Sequence, residues 1–126
     1  MKIEVSNGEI LDKYSILKIK LEKITDPDKL KNVENELLSL KPAFDKINNS
    51  DIVDQKYQKL KEINEKLWKV EDRLRELEKE KDFKVEFILR ARMVYYTNDK
   101  RAKIKYSINC ITDSDLVEEK SYETYK

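Results

Sequence analysis

The chain has 126 residues, 42% of them charged, yet its 27 basic and 26 acidic side chains leave a formal net charge of only +1. That balance excludes a general electrostatic affinity of the whole chain for nucleic acid or an anionic membrane. With no His, one Cys and one Gly, it also excludes His/Cys zinc sites within one chain, Ser-His-Asp or Cys-His catalysis and glycine-rich phosphate loops.

In chain order, Met1 to Val5 alternates apolar and charged residues and reads as part of a short extended arm over residues 1–7. Ser6-Asn7-Gly8-Glu9 fits a capping box, with Ser6 as N-cap and the Glu9 side chain reaching back to it. Ile10, Tyr14, Leu17, Leu21 and Ile24 then form the apolar stripe of a first helix ending near Thr25. Asp26-Pro27 is a cap followed by a first-turn proline, which opens a second helix carried by Leu30, Val33, Leu37, Leu38 and Leu40. Pro42 should break or kink it, leaving Ala43 to Ile47 as a short further turn.

Asn48-Asn49-Ser50-Asp51 supplies loop and capping residues before a third, long helix. From residue 51 to 81 there is no Gly or Pro. Val53, Leu60, Ile63, Leu67, Val70, Leu74 and Leu77 follow a three-four spacing, with Lys56 as the one polar exception, so this seam demands partner helices. A turn is expected at Lys81-Asp82-Phe83, because the phase of the seam shifts after Leu77 and a sixty-residue helix is rare. A fourth helix should run from Phe83 or Lys84 to Ile111. Asp113 to Lys126 reads as an irregular tail that docks by Leu116, Val117, Tyr122 and Tyr125. The periodic apolar residues argue against disorder for residues 8 to 112. The fold class is therefore all-α: a small antiparallel bundle of about four helices, one or two of them long, within a single domain spanning 1–126.

No signal peptide and no bilayer-spanning run is visible. Cys110 reads as a reduced, packed residue, and the expected location is cytoplasmic. Glu62, Glu65, Asp72 and Glu76 spread around the third helix, suiting a solvated surface better than a metal site, so no metal and no cofactor are expected.

The fourth helix carries the informative polar residues. At 100° per residue its apolar arc holds Phe87, Ile88, Ala91, Val94, Tyr95, Ala102 and Tyr106. Asn98, Lys105 and Asn109 fall inside that arc, and Arg101 at its edge. Polar groups on a core-facing stripe cost free energy unless something satisfies them. Two readings follow. Arg and Lys donors beside Asn and Tyr suit a small phosphate, sulfate or carboxylate ligand, with Asn98, Arg101, Lys105, Arg92, Trp68 and Glu71 as the candidate site. Alternatively the cations snorkel or pair with acids of the third helix such as Glu71 and Glu78, and Trp68 is a packing anchor.

Four stretches resemble a family of short, uncharacterised bacterial and phage proteins classed as a domain of unknown function. They are Met1 to Lys13, Ile63 to Asp72, Ala91 to Arg101 and Val117 to Tyr122, with Thr97-Asn98-Asp99 the most specific. The resemblance covers nearly the whole chain and implies no activity, cofactor or catalytic residue. The expectation is a non-enzymatic helical interaction module of coiled-coil character, forming a homo-oligomer or binding a protein partner. The alternative is an anion-binding bundle, extending to an enzyme that works by Arg/Lys electrostatic stabilisation.

Overall fold

The computed structural model describes residues 1–121, which form four α-helices and no strand: α1 (Asn7–Lys23), α2 (Pro27–Ile47), α3 (Asp51–Lys79) and α4 (Val85–Ile111). The helix starts are the ones the sequence marks. Ser6 Oγ accepts from Glu9 N, Asp26 Oδ1 from Asp28 N, and Ser50 Oγ from Val53 N, each satisfying a donor that the first turn leaves orphaned. Only the Ser6 half of the capping box appears, because the Glu9 carboxylate accepts from Lys105 of α4.

The shortest helix is the hub. α1 packs against α2, α3 and α4, and α3 packs along α4. Serving three neighbours, α1 buries more than one face. Leu11, Tyr14, Leu17 and Ile19 are buried together with Asp12 and Ser15, whereas Ile10, Leu21 and Ile24 of the expected stripe are only half-buried. Leu11 and Tyr14 join Phe44, Val53, Tyr57, Leu60 and Ile108 in one core cluster. The Tyr14 and Phe44 rings stack with centroids 3.9 Å apart, and Tyr57 meets Phe44 edge-on at 4.8 Å. Burial pushes the Tyr57 phenol far above its ordinary range, with help from neighbouring Tyr14 and nearby acids. Within α3 the seam is present but shifted: Tyr57 and Asn64 are buried where Lys56 and Ile63 were expected to lead, and Leu74 is half-buried.

Pro42 does not end α2, which continues to Ile47. Proline inside a helix costs about 3 kcal/mol. Beyond it, however, lie Phe44 and Ile47, both packed into the core. Burying a phenylalanine contributes about 1.5–3 kcal/mol and a stacked aromatic pair about 0.5–1.5 more. Both Pro42 and Leu38 are exposed, so water can serve the Leu38 carbonyl that lost its partner. The two effects are comparable, and core burial decides it.

The expected turn after α3 is made without glycine. Lys81 adopts φ 56°, its N–H donates to Glu78 O, and Asp82 N–H donates to Leu77 O. This is a Schellman ending with lysine at the left-handed position. Asp113 repeats the device after α4, with φ 54° and Ser114 N–H donating to Asn109 O. Left-handed backbone costs an L-residue about 1–2 kcal/mol. Lys81→Gly is therefore expected to raise stability by about 0.5–1 kcal/mol after the extra entropy of an unfolded glycine is subtracted. Urea unfolding measures it; an unchanged or lower midpoint would contradict this turn geometry.

Two further expectations are corrected. Cys110 is exposed, not packed. The tail from residue 113 is irregular as expected, but Leu116 and Val117 stay substantially exposed, and its anchors are polar: Ser114 Oγ accepts from Asn7 N and Glu118 from Lys105. Tyr122 and Tyr125 lie outside the described residues. No helix among the described residues is long and apolar enough to cross a membrane.

Candidate functional site

The N-terminal half of α1 lies antiparallel to the C-terminal half of α4, and this contact organises the polar residues. Asn7 Nδ2 donates to Thr112 Oγ1, Gly8 N to Asn109 Oδ1 at 2.7 Å, Lys105 to Glu9, and Arg101 to Asp12. Each step forward along α1 meets a step backward along α4. Gly8 sits where the two backbones touch. A Cβ there would fall 2.5 Å from Lys105 O and 3.0 Å from Asn109 Oδ1. Thus Asn109, an apparent intruder in the apolar arc, is a buried acceptor for a first-turn amide.

At the centre of this contact is a buried network. Asp12 is 1% exposed and receives Arg101 in a two-point grip, Nε to Oδ1 at 2.9 Å and Nη2 to Oδ2 at 2.5 Å. Asn64 Nδ2 donates to Asp12 Oδ1 and Ser15 Oγ, both at 2.8 Å, and Ser15 Oγ donates to the Asp12 carbonyl. Three helices thus share one carboxylate. The hydrogen bonds that Arg101 donates to Asp12 hold its pKa above the ordinary value against the opposing effect of burial. Lys105 donates to Glu9 at 2.7 Å and to Glu118 of the tail at 3.1 Å. Burial alone would lower its pKa, but those two carboxylates outweigh it and the net shift is upward. Lys120 also donates to Glu118, whose carboxyl Lys120 and Lys105 together hold below the usual range.

Beside the network lies a cleft of about 1050 Å³, and Arg92, Asn98, Arg101 and Lys105 of the candidate site all line it. Trp68 and Glu71 are not in its lining. Glu71 is exposed and acts on Arg101 only through its charge; Trp68 is half-buried on α3. The acids that neutralise Arg101 and Lys105 come from α1 and the tail, not from Glu71 and Glu78 of the third helix. The residue sequence reasoning missed is Asp12. The available signal was an acid between the apolar positions of a helix whose apolar residues occupy several faces, which marks a central helix and a buried charge needing a partner.

The other half of α4 looks outward. Of the expected core-facing arc, Ile88, Tyr95 and Tyr106 are exposed at 54%, 66% and 48%, Phe87, Ala91, Val94 and Ala102 are half-buried and Asn109 is buried, while the buried Thr97 and Ile108 lie outside that arc. Val85, Leu89 and Tyr96 add to the exposed set. The Arg92 guanidinium lies 6.0 Å from the centre of the Tyr96 ring. The outward stripe runs from Val85 to Tyr106, about 30 Å at the helical rise. Large apolar patches on a surface are uncommon without a partner.

Among the described residues no cluster of acids and Cys could hold a metal ion. Compared with known proteins, the chain matches the model of a family of unknown function over residues 1–126. No curated protein matches it, and no solved structure does.

Proposed function

The chain belongs to that family, DUF6165, and for this member we propose a non-enzymatic helical interaction module that self-associates through the outer face of α4. One observation carries the reading: α4 is apolar on two opposite faces, and among the described residues the bundle buries one of them while Val85, Ile88, Leu89 and Tyr95 of the other stay exposed. Each large side chain moved from water into an interface contributes about 1.5–3 kcal/mol when fully buried. Tyrosines at such a surface bury wide rings while keeping a hydroxyl for hydrogen bonding.

The anion-binding reading has less support. At Arg101 a ligand would meet a guanidinium whose Nε and Nη2 are already held by Asp12, and one at Lys105 would compete with Glu9 and Glu118. Breaking a buried charge pair on one side costs about 3–5 kcal/mol, which a single surface anion contact does not offset.

Sedimentation across a concentration series tests the proposal. The wild-type chain is expected to exceed its monomer mass of 15.1 kDa as concentration rises. Tyr95→Glu is expected to weaken association by about 30-fold or more, the effect of losing roughly 2 kcal/mol at a hot spot. Because Tyr95 is exposed in the monomer, its melting temperature as a monomer should be unaffected. A wild-type mass that stays at the monomer value at every concentration overturns the reading.

A further inference from the structure

We infer that the N-terminal arm of one copy, residues 1–5, docks on Val85, Ile88 and Leu89 of a second copy, and that two copies exchange arms reciprocally. The inference rests on the outer face of α4 being the self-associating one and names what the second copy lays on it. Two apolar elements of the chain lie open. Met1, Ile3 and Val5 of the arm are exposed, and no backbone hydrogen bond among the described residues holds residues 1–5. At the start of α4, Val85, Ile88 and Leu89 are exposed beside Phe83, whose ring meets Phe87 edge-on.

The two elements sit at opposite ends of α4. Gly8 touches Lys105 and Asn109, and Asn7 reaches Thr112, so α1 begins at the C-terminal end of α4. From there α1 steps back along α4 until Asp12 meets Arg101, so the residues ahead of Ser6 enter from the end farthest from Val85. Ile88 precedes Lys105 by seventeen positions, about 25 Å at the helical rise. Fully extended, Ile3 stands no more than about 11 Å from Ser6. Ile3 and Val5 therefore cannot cover Ile88 of their own chain, whereas those of a second copy can. In extended form Met1, Ile3 and Val5 fall on one side of the arm, about 6.5 Å apart, with Lys2 and Glu4 on the other. That interval is close to the one between neighbouring side chains on a helix face. Glu4 and Lys84 are both exposed and opposite in sign, so the arm also suits the charge at the rim of the patch. An antiparallel two-fold pair brings each arm to the partner's patch and closes on itself. The middle of α4, where Glu118 and Lys120 line the cleft with Tyr96 and Asp99, need not open for this contact.

Cysteine trapping and chain mixing test the exchange. In a Cys110→Ser background, a chain carrying both Ile3→Cys and Ile88→Cys is expected to oxidise to a covalent dimer, while either cysteine alone stays largely unlinked. Ile3→Glu and Ile88→Glu should each weaken association about tenfold or more. Both residues are exposed, so the melting temperature of the monomer should not move. Mixing these two chains should recover part of the association, because one intact arm then meets one intact patch. A disulfide formed within one chain, or a ladder of trimers and longer species, overturns the reciprocal exchange. Association that tolerates Ile3→Glu but not Ile88→Glu overturns the role of the arm and leaves self-association through α4 standing. A wild-type chain that stays monomeric by sedimentation overturns both the exchange and the reading beneath it.

Discussion

Gly8→Ala is expected to destabilise the protein by about 3 kcal/mol or more, although helix propensity alone predicts the opposite sign. Gly8 lies in the first turn of α1, and its φ is not in the left-handed region. Alanine would fit the local backbone and would gain up to about 1 kcal/mol of helix propensity. The obstacle is α4. The new methyl would stand 2.5 Å from the Lys105 carbonyl oxygen and 3.0 Å from its carbon, and helix backbone cannot step aside as a flexible side chain can. The helices must separate, stretching the Gly8 N to Asn109 Oδ1 bond and the Asn7 and Glu9 contacts on either side. Overpacking typically costs about 1–3 kcal/mol, and a buried acceptor left without its donor adds about 1–3 more. Urea unfolding is the measurement. A midpoint equal to or above wild type would show that α1 and α4 do not approach this closely.

Arg101→Met is expected to cost about 3–5 kcal/mol. Asp12→Leu should cost distinctly less, although the two residues share one ion pair. The asymmetry follows from where each partner sits. The Asp12 side chain is 2% exposed and that of Arg101 28%. Deleting the guanidinium strands a carboxylate in the core with only Asn64 Nδ2 as a remaining side-chain donor. Deleting the carboxylate leaves a guanidinium that can swing into the adjoining cleft and be hydrated. The double variant Asp12→Leu/Arg101→Met should regain much of the loss, because a buried pair replaced by apolar groups of similar size is often nearly neutral. The coupling read from this double-mutant cycle should be large. Equal single losses that simply add would mean that Asp12 and Arg101 act independently, against the geometry of their two-point contact.

The sequence alone was enough to determine where the first three helices begin. Ser6, Asp26-Pro27 and Ser50 act on donors two or three residues away, so the information is local and readable. It also determined that α3 needs partners, because a three-four seam spans its length and one side of the helix is clearly polar. The turn near Lys81 was legible only from the phase of that seam. Its chemistry was not, since a lysine in left-handed backbone is held there by two hydrogen bonds to Leu77 and Glu78 rather than by intrinsic preference.

Only the tertiary structure decided which face of α4 points inward. Its apolar residues lie on both sides, so periodicity yields two solutions of similar merit. The choice falls to the shape and charge of the partner surface: Gly8 admits close backbone contact at Lys105, Asp12 (braced by Asn64) satisfies Arg101, and Glu9 satisfies Lys105. The same non-local energy carries α2 through Pro42, where burial of Phe44 offsets a backbone defect that a local rule treats as a stop. Caps and seams depend on neighbours in sequence and can be read from the chain. The facing of α4, the Asp12–Arg101 pair and the outward stripe depend on neighbours in space, and they exist only once the helices have met.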